Sequence, residues 1–226
     1  MKSEININGL RLLPEKAAFL EAEKMLIIAD LHFGKINHFR QAGMPVPAAA
    51  NRHNEETLID LINQIRPVRV VFLGDLFHSH YNDQWEVLGQ IMTHFSVVSF
   101  ELVRGNHDIM SETQYFRKGI KVVDAINAGE YLLTHEPMRS DDIPDGRINM
   151  AGHLHPGARL EGRGRQGIVL PCFWLSPNQL ILPAFGSFTG LATIRPGALD
   201  RVWIIVEGQI MEAAMKAPRK HTRITR

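Results

Sequence analysis

Met25-Leu26-Ile27-Ile28-Ala29-Asp30-Leu31-His32 is a run of five apolar residues that ends on an acid and, two positions later, on a histidine. An apolar run this short reads as a strand buried on both faces. The same figure recurs along the chain. Val68 to Leu73 runs into Gly74-Asp75, and Val97 to Val103 into Arg104-Gly105-Asn106-His107-Asp108. Tyr131 to Thr134 runs into His135, and Ile148 to Ala151 into Gly152-His153-Leu154-His155. Ile168 to Leu175 and Val202 to Val206 add two further candidate strands, several of the runs being β-branched.

Between the early runs the period changes to that of a helix. Leu58, Leu61, Ile62 and Ile65 share one face of Ala48 to Ile65, as do Val87, Leu88, Ile91 and Phe95 within Asp83 to Phe95. The first half therefore reads β-α-β-α-β. From about Ile120 onward, strands and Gly/Pro-rich turns take over, which gives an α/β class with a mostly β second half. No repeat and no linker divides the chain, so the expected organisation is one domain over 1–215 and a basic tail over 216–226.

In an α/β sheet the carboxyl ends of the strands face the ligand crevice, so the five polar endings are expected on one edge. Gly74, Gly105 and Gly152, each just before such an ending, suit sharp backbone bends. Taken singly, each ending has an ordinary explanation. Asp30-Leu31-His32 can be a helix cap, Gly74-Asp75 a turn, and His135 a hydrogen-bonded core histidine. The alternate histidines of Gly152-His153-Leu154-His155 are harder to explain so. On an extended segment they point the same way, and adjacent imidazoles are costly without a shared cation. All five together, in order and at strand ends, point to a metal centre.

Asp, Asn and His without Cys make an oxygen and nitrogen site suited to Mn, Fe, Ni or Zn. Asp30, His32, Asp75, Asn106, His135, His153 and His155 exceed the needs of one ion. Two divalent ions roughly 3.5–4 Å apart, sharing a carboxylate, suit in-line attack on a phosphate ester. Asn106 takes the ligand position beside His107, which leaves His107 as an acid or transition-state donor with Asp108 orienting its ring.

Composition bounds the rest. With 226 residues, 45% apolar and 22% charged, the chain can bury a full core and is neither disordered nor fibrous. The single cysteine, Cys172, cannot form an internal disulfide, and Met1-Lys2-Ser3-Glu4 does not open like a secretory leader. No apolar run approaches a membrane span, so a soluble protein of a reducing cytoplasm is expected. The net charge of +1 hides an asymmetry. Lys216, Arg219, Lys220, Arg223 and Arg226 lie in the tail without an acid, leaving 20 basic residues against 24 acids in the rest, about −4.

Asp30-Leu31-His32, Gly74-Asp75, Gly105-Asn106-His107-Asp108, His135 and Gly152-His153-Leu154-His155 together resemble the signature of calcineurin-like metallophosphoesterases, across residues 30 to 155. The resemblance implies a four-layer α-β-β-α sandwich, two mixed sheets face to face with helices outside. It implies that Asp30, His32, Asp75 and His155 hold a first metal and Asp75, Asn106, His135 and His153 a second, with Mn the leading choice. Asp75 is then the bridge, and His107 stands beside the leaving group. Gly74-Asp75-Leu76-Phe77-His78 together with Gly105-Asn106-His107-Asp108 is similar to the DNA double-strand-break repair nucleases of this superfamily, which implies that His78 assists phosphodiester cleavage. Asp108 departs from the Glu of many phosphatases by one methylene and can still hold His107.

Leu31-His32-Phe33-Gly34-Lys35, Phe39-Arg40, Gly43 to Pro47 and Pro183-Ala184-Phe185-Gly186 resemble the DNA ligase-associated metallophosphoesterases across nearly the whole chain. That resemblance implies a DNA endonuclease or end-processing nuclease of repair, linked with an ATP-dependent ligase and a helicase. The alternative is a phosphatase or nucleotide phosphodiesterase for small molecules. A third possibility, a non-catalytic module on the same fold, is opposed by the complete ligand set. Lys35 and Arg40 are candidate phosphate contacts or a solvated helix face. Arg159, with Arg163 and Arg165 among interleaved glycines, is a candidate strand-gripping loop or an ordinary surface loop, and Pro183 to Gly190 is a loop over the site or a packed turn.

The basic tail yields a test. Either it is a solubilising terminus or it neutralises DNA phosphates. In the second case deleting 216–226 weakens DNA binding across sequences and flattens its salt dependence, by about 0.9 in slope for each phosphate no longer neutralised. Hydrolysis of a small diester is expected to stay unchanged. Unaltered DNA affinity and salt slope would remove the tail from DNA binding.

Overall fold

The computed structural model describes residues 4–35, 49–77, 83–162, 167–187 and 189–214. Arg40, His78, Arg163, Arg165 and the basic tail lie outside the described residues, as do Phe39 and the stretch from Gly43 to Pro47.

The first sheet opens with a meander of β1 (Ile5–Ile7), β2 (Leu10–Leu13) and β3 (Ala17–Leu20), which pairs antiparallel onto β4 (Met25–Ala29). From β4 onward, β5 (Arg69–Leu73), β6 (Ser99–Val103) and β7 (Ile120–Val123) add in parallel. The connections carry α1 (Ala49–Ile65), α2 (Asp83–His94) and the short α3 (Glu112–Arg117). The second sheet runs β14 (Ala192–Thr193), β11 (Pro156–Glu161), β12 (Gly167–Ser176), β13 (Gln179–Ile181), β10 (Ile148–Ala151), β9 (Tyr131–Leu133) and β8 (Ile126–Ala128). The hairpin of β15 (Arg201–Val206) and β16 (Gln209–Glu212) joins it through β12. Both sheets are mixed, as expected.

The two-residue period of a strand sorts the apolar runs of the first sheet between two cores. Leu26, Ile28, Val70, Phe72, Phe100 and Leu102 face the helices and pack with Leu58, Leu61 and Ile62 of α1 and Trp85, Leu88 and Ile91 of α2. Met25, Ile27, Ala29, Val71, Leu73 and Val103 face the other way, onto Tyr131, Leu133, Met150, Phe173, Leu180, Trp203 and Ile205 of the second sheet. Double-sided burial is why these strands read as unbroken apolar runs rather than as alternating patterns. The three described α-helices all lie on the first sheet. The outer face of the second carries a smaller cluster of Ala158, Cys172, Ile194, Val202 and Ile204, with no α-helix among the described residues. Cys172 is a free thiol in that cluster.

Several boundaries move. Val97 is 93% exposed and Val68 53%, and both precede their strands, because Val97 belongs to the turn after α2 in which the Val98 amide donates to the Phe95 carbonyl. The β1–β2 hairpin was not expected, although Asn8-Gly9 is a hairpin signal and both residues have positive φ, 51° and 86°. The short helix α3 is a second unexpected element. Ser111 and Gln114 cap it reciprocally, a four-residue signature that six residues of weak periodicity obscure. Arg159 falls in β11 rather than in a loop, since Pro156–Glu161 pairs in register with β12.

Candidate metal centre

The turns after β4, β5, β6, β9 and β10 meet where the two sheets' strand ends come together. The His32 amide donates to the Asp75 carbonyl at 2.8 Å, and the His153 amide to Asp30 Oδ2 at 2.8 Å, which ties the second sheet to the first. This convergence demands unusual backbone. Asp30 (φ 52°), His32 (46°), Asp75 (49°), His153 (66°) and His155 (48°) all occupy the left-handed region, a conformation that costs on the order of 1 kcal/mol for a residue with a side chain. Gly74, at φ 71°, must be glycine on space alone, because a Cβ there would lie 2.1 Å from His135 Nδ1. At Gly105 and Gly152 the need is room rather than a bend, a Cβ falling 2.3 Å from the Asp75 nitrogen and 2.5 Å from Asp30 Oδ2.

Seven side chains gather here, in two groups. Asp30, His32 and His155 form one, and Asp30, Asp75 and His135 the other, each with one donor atom per residue within 4.8 Å of the others. Asp30 thus belongs to both. Asp75 turns its oxygens in opposite directions, Oδ2 lying 3.8 Å from His32 Nε2 and Oδ1 lying 3.5 Å from His135 Nε2. Asn106 Oδ1 and His153 Nδ1 complete the second group at 3.0 and 3.2 Å from His135 Nε2. The extended segment expected around the two alternate histidines does not form. Their positive φ values send His153 to His135 and His155 to His32 and Asp30, one histidine to each group.

The placement of ring protons defines what this cluster requires. A carbonyl only accepts, so the 2.9 Å contact of His135 Nδ1 with the Leu73 carbonyl puts the ring proton on Nδ1. The ring then turns Nε2 toward Asn106 Oδ1, His153 Nδ1 and Asp75 Oδ1. His155 repeats the pattern: Nδ1 donates to the Gly190 carbonyl at 3.2 Å, and Nε2 faces His32 Nε2 at 3.4 Å and Asp30 Oδ1 at 3.5 Å. Asp30 Oδ1 itself is buried without a hydrogen bond. A buried carboxylate oxygen left without a hydrogen bond, beside imidazoles whose Nδ1 protons go to carbonyls, is expensive in a protein interior unless a cation is shared. The donor set fits divalent ions bound by oxygen and nitrogen.

His107 is at the mouth. Its side chain is 47% exposed and its Nε2 lies 3.9 Å from Asp75 Oδ2. Asp108 does something other than expected. Its Oδ2 accepts from the amides of Asp75 and Gly105, both at 2.8 Å, and its Oδ1 accepts from the amides of Leu76 and Phe77 and from the Tyr115 hydroxyl. The carboxylate therefore clamps two ligand-bearing turns together. Burial pushes the Asp108 carboxyl up to about 6, with the Gly105 amide opposing and the Asp75 charge adding to the rise. Tyr115, the clamp's hydroxyl partner from α3, has its phenol raised by burial and by Asp108. Nothing local in the sequence marks Tyr115, because its role depends on how α3 packs.

Lys35 is half-buried at the same edge. Burial lowers its ammonium pKa while the carboxylates of Asp75 and Asp30 act against that, which puts the amine within electrostatic reach of both. Arg159 is exposed on β11, its guanidinium over Gly167, and is not brought to the cluster.

Removing the Asp108 clamp strands four buried amides, each unpaired donor costing about 1–3 kcal/mol. Asp108→Ala is therefore expected to lower unfolding stability by about 3 kcal/mol or more in denaturant titrations. A loss below about 1 kcal/mol would show that the clamp does not hold these turns.

The crystal structure of the Pseudomonas putida nuclease MPE matches with a TM-score of 0.75 at 25% identity, over 94% of this chain and 100% of that one. A protein of unknown function from Aquifex aeolicus aligns more loosely, with a TM-score of 0.39 and 20% identity over 62% of this chain and 82% of that chain. So does a conserved uncharacterised protein from Streptococcus pneumoniae, with 0.32 and 13% over 84% and 95%. Comparison with curated proteins finds no match. No described helix is long and apolar enough to cross a membrane. The family model for calcineurin-like phosphoesterases matches residues 23–159, a span that holds all seven clustered side chains, and the chain belongs to that family of metal-dependent phosphoesterases.

Proposed function

We propose that the protein is a two-metal phosphodiesterase that cleaves DNA, as an endonuclease or end-processing nuclease of repair, in a reducing cytoplasm. The observation that carries this reading is Asp75, with one oxygen toward each histidine group. The likeness to the nuclease from Pseudomonas putida over the full length of that chain supports a nucleic-acid substrate.

Asp30, His32, Asp75 and His155 would hold one ion, and Asp75, Asn106, His135 and His153 the other, with Mn the first choice and Fe, Zn or Ni alternatives. When bound, such ions polarise the phosphoryl group and make water a stronger nucleophile. The chain's own groups do the rest. Water oxygen bonds to phosphorus opposite the leaving oxygen and gives up a proton to solvent, from which His107 is reprotonated after turnover. The phosphorus–oxygen bond to the leaving group breaks, and His107 delivers a proton from Nε2 to that oxygen. Lys35 offsets phosphate charge at the edge of the site. His78 and Arg40, which lie outside the described residues, are assigned supporting roles by the family resemblance alone, as are the ligase and helicase partners. Arg159 is retained only as a contact to DNA beyond the cleavage point, in keeping with its place on β11.

A panel of plasmid DNA, single-stranded DNA, bis-p-nitrophenyl phosphate and p-nitrophenyl phosphate, with Mn added, tests the substrate class. Cleavage of DNA and diester over monoester is expected; turnover of the monoester alone would replace this reading with a small-molecule phosphatase. Asp75→Ala is expected to abolish activity and to bind fewer than two ions, since removing the shared carboxylate leaves two cations without compensating charge. Full turnover with two ions per chain would rule out the bridge. His107→Ala is expected to keep its metal while losing about 10²- to 10⁴-fold in rate. If it lost metal as readily as His135→Ala, His107 would be a ligand.

A further inference from the structure

The segment around Pro183-Ala184-Phe185-Gly186 has no place in the chemistry above, yet its backbone touches both strand ends that carry Asp30 and His155. The Phe185 amide donates to the Ala29 carbonyl at 2.8 Å and the Gly186 amide to the Asp30 carbonyl at 3.1 Å. A Cβ on Gly186 would lie 2.5 Å from the Leu31 carbonyl oxygen, so the strap lies against the turn as closely as backbone allows. Thr189 Oγ1 donates to the Gly186 carbonyl, and one residue later the Gly190 carbonyl accepts from His155 Nδ1 at 3.2 Å. The Ala192 amide returns to the His155 carbonyl at 3.0 Å. One short stretch therefore supports the left-handed Asp30 turn from beneath and fixes which nitrogen of His155 carries the proton.

The strap is itself anchored to α1. Asn54, 7% exposed, accepts through Oδ1 from the Ser187 amide at 3.1 Å and from Ser187 Oγ at 2.8 Å. An amide nitrogen can only donate, so the oxygen of Asn54 is the atom turned to Ser187. Lys16 Nζ reaches the Phe185 carbonyl at 3.4 Å from the β2–β3 turn. Asn54 bonds to Ser187, next in the chain to Gly186, whose amide donates to the Asp30 carbonyl and whose carbonyl accepts from Thr189 beside Gly190.

We infer that Asn54 is a positioning residue for the Asp30–His32–His155 metal position, acting through Ser187 on the strap that aims Asp30 and His155. Partners that orient metal ligands typically change affinity by about 10- to 100-fold when removed. The effect is unequal: the strap bears on both Asp30 and His155 at this position, whereas it reaches the other group only through Asp30, since Asp75 and His135 are aimed by the Asp108 clamp and the Leu73 carbonyl.

The inference rests on the two-metal reading, and the experiment separates the two. Mn is titrated calorimetrically into the metal-stripped full chain of the wild type, Asn54→Leu, Asn54→Asp and Ser187→Ala, with thermal unfolding of each stripped protein alongside. The wild type is expected to bind two ions. Asn54→Leu should bind one ion about 10- to 100-fold more weakly and the other with a clearly smaller loss. Asn54→Asp keeps an acceptor for both Ser187 donors and should recover most of the loss, while Ser187→Ala should show a smaller loss of the same ion. Two unchanged affinities in Asn54→Leu would overturn the inference, as would equal weakening of both ions. Should Asn54→Leu fail to fold, Ser187→Ala decides by the same criteria. A wild type that binds no divalent ion would instead overturn the two-metal reading itself.

Discussion

A buried carboxylate oxygen with no proton to accept is the constraint on which this molecule turns. Asp30 Oδ1 faces imidazole nitrogens whose own protons are committed to the carbonyls of Leu73 and Gly190. Were those rings free to rotate, one could donate to Asp30 and the site would close on itself as an ordinary polar network. The backbone carbonyls prevent that. The Gly190 carbonyl holds the His155 proton on Nδ1, away from Asp30, and the Leu73 carbonyl engages the His135 Nδ1 proton before Asp30 can, so the cluster stays poised for cations.

Holding such a cluster open costs free energy that the rest of the fold must supply. Five of the seven candidate ligands have positive φ, and Asp30 and Asp75 are buried carboxylates. Against this stand β4, β5 and β6, whose side chains are buried on both faces, each large apolar side chain contributing roughly 1.5–3 kcal/mol. The arrangement explains why the ligands sit one to four residues past a strand rather than within it. The strand supplies a rigid, deeply packed base, and the turn beyond it is free to take the conformation that chemistry needs.

Two hydrogen-bonded devices mediate between base and turns. Asp108 gathers amides from the turns after β5 and β6, and the strap from Phe185 to Gly190 supports those after β4 and β10. Asp108 acts on backbone amides, and the strap acts on the backbone after β4 and on the His155 ring. The Asp108 oxygens are drawn to the otherwise unpaired amides of tight turns.

The sequence by itself determined the strands of the two-sided core, the helical segments between the early ones, and the identity of all seven clustered side chains. Those features are local: an unbroken apolar run followed by Asp, Asn or His is visible within ten residues, and five such runs in order carry a family signature. The β1–β3 meander is equally local, in Asn8-Gly9, but its strands are too short for their periodicity to stand out. Tertiary structure alone decided that His153 and His155 part toward different groups, that Asp30 serves both, that Asp108 clamps amides, and that Arg159 lies along β11 away from the cluster. It also decided that Asn54, Tyr115 and Gly190 matter at all. Each of these depends on a contact between residues far apart in the chain or on a left-handed φ imposed from outside the segment. Spacing along a sequence reports which residues share a strand end; it does not report which donor a distant turn brings to meet them.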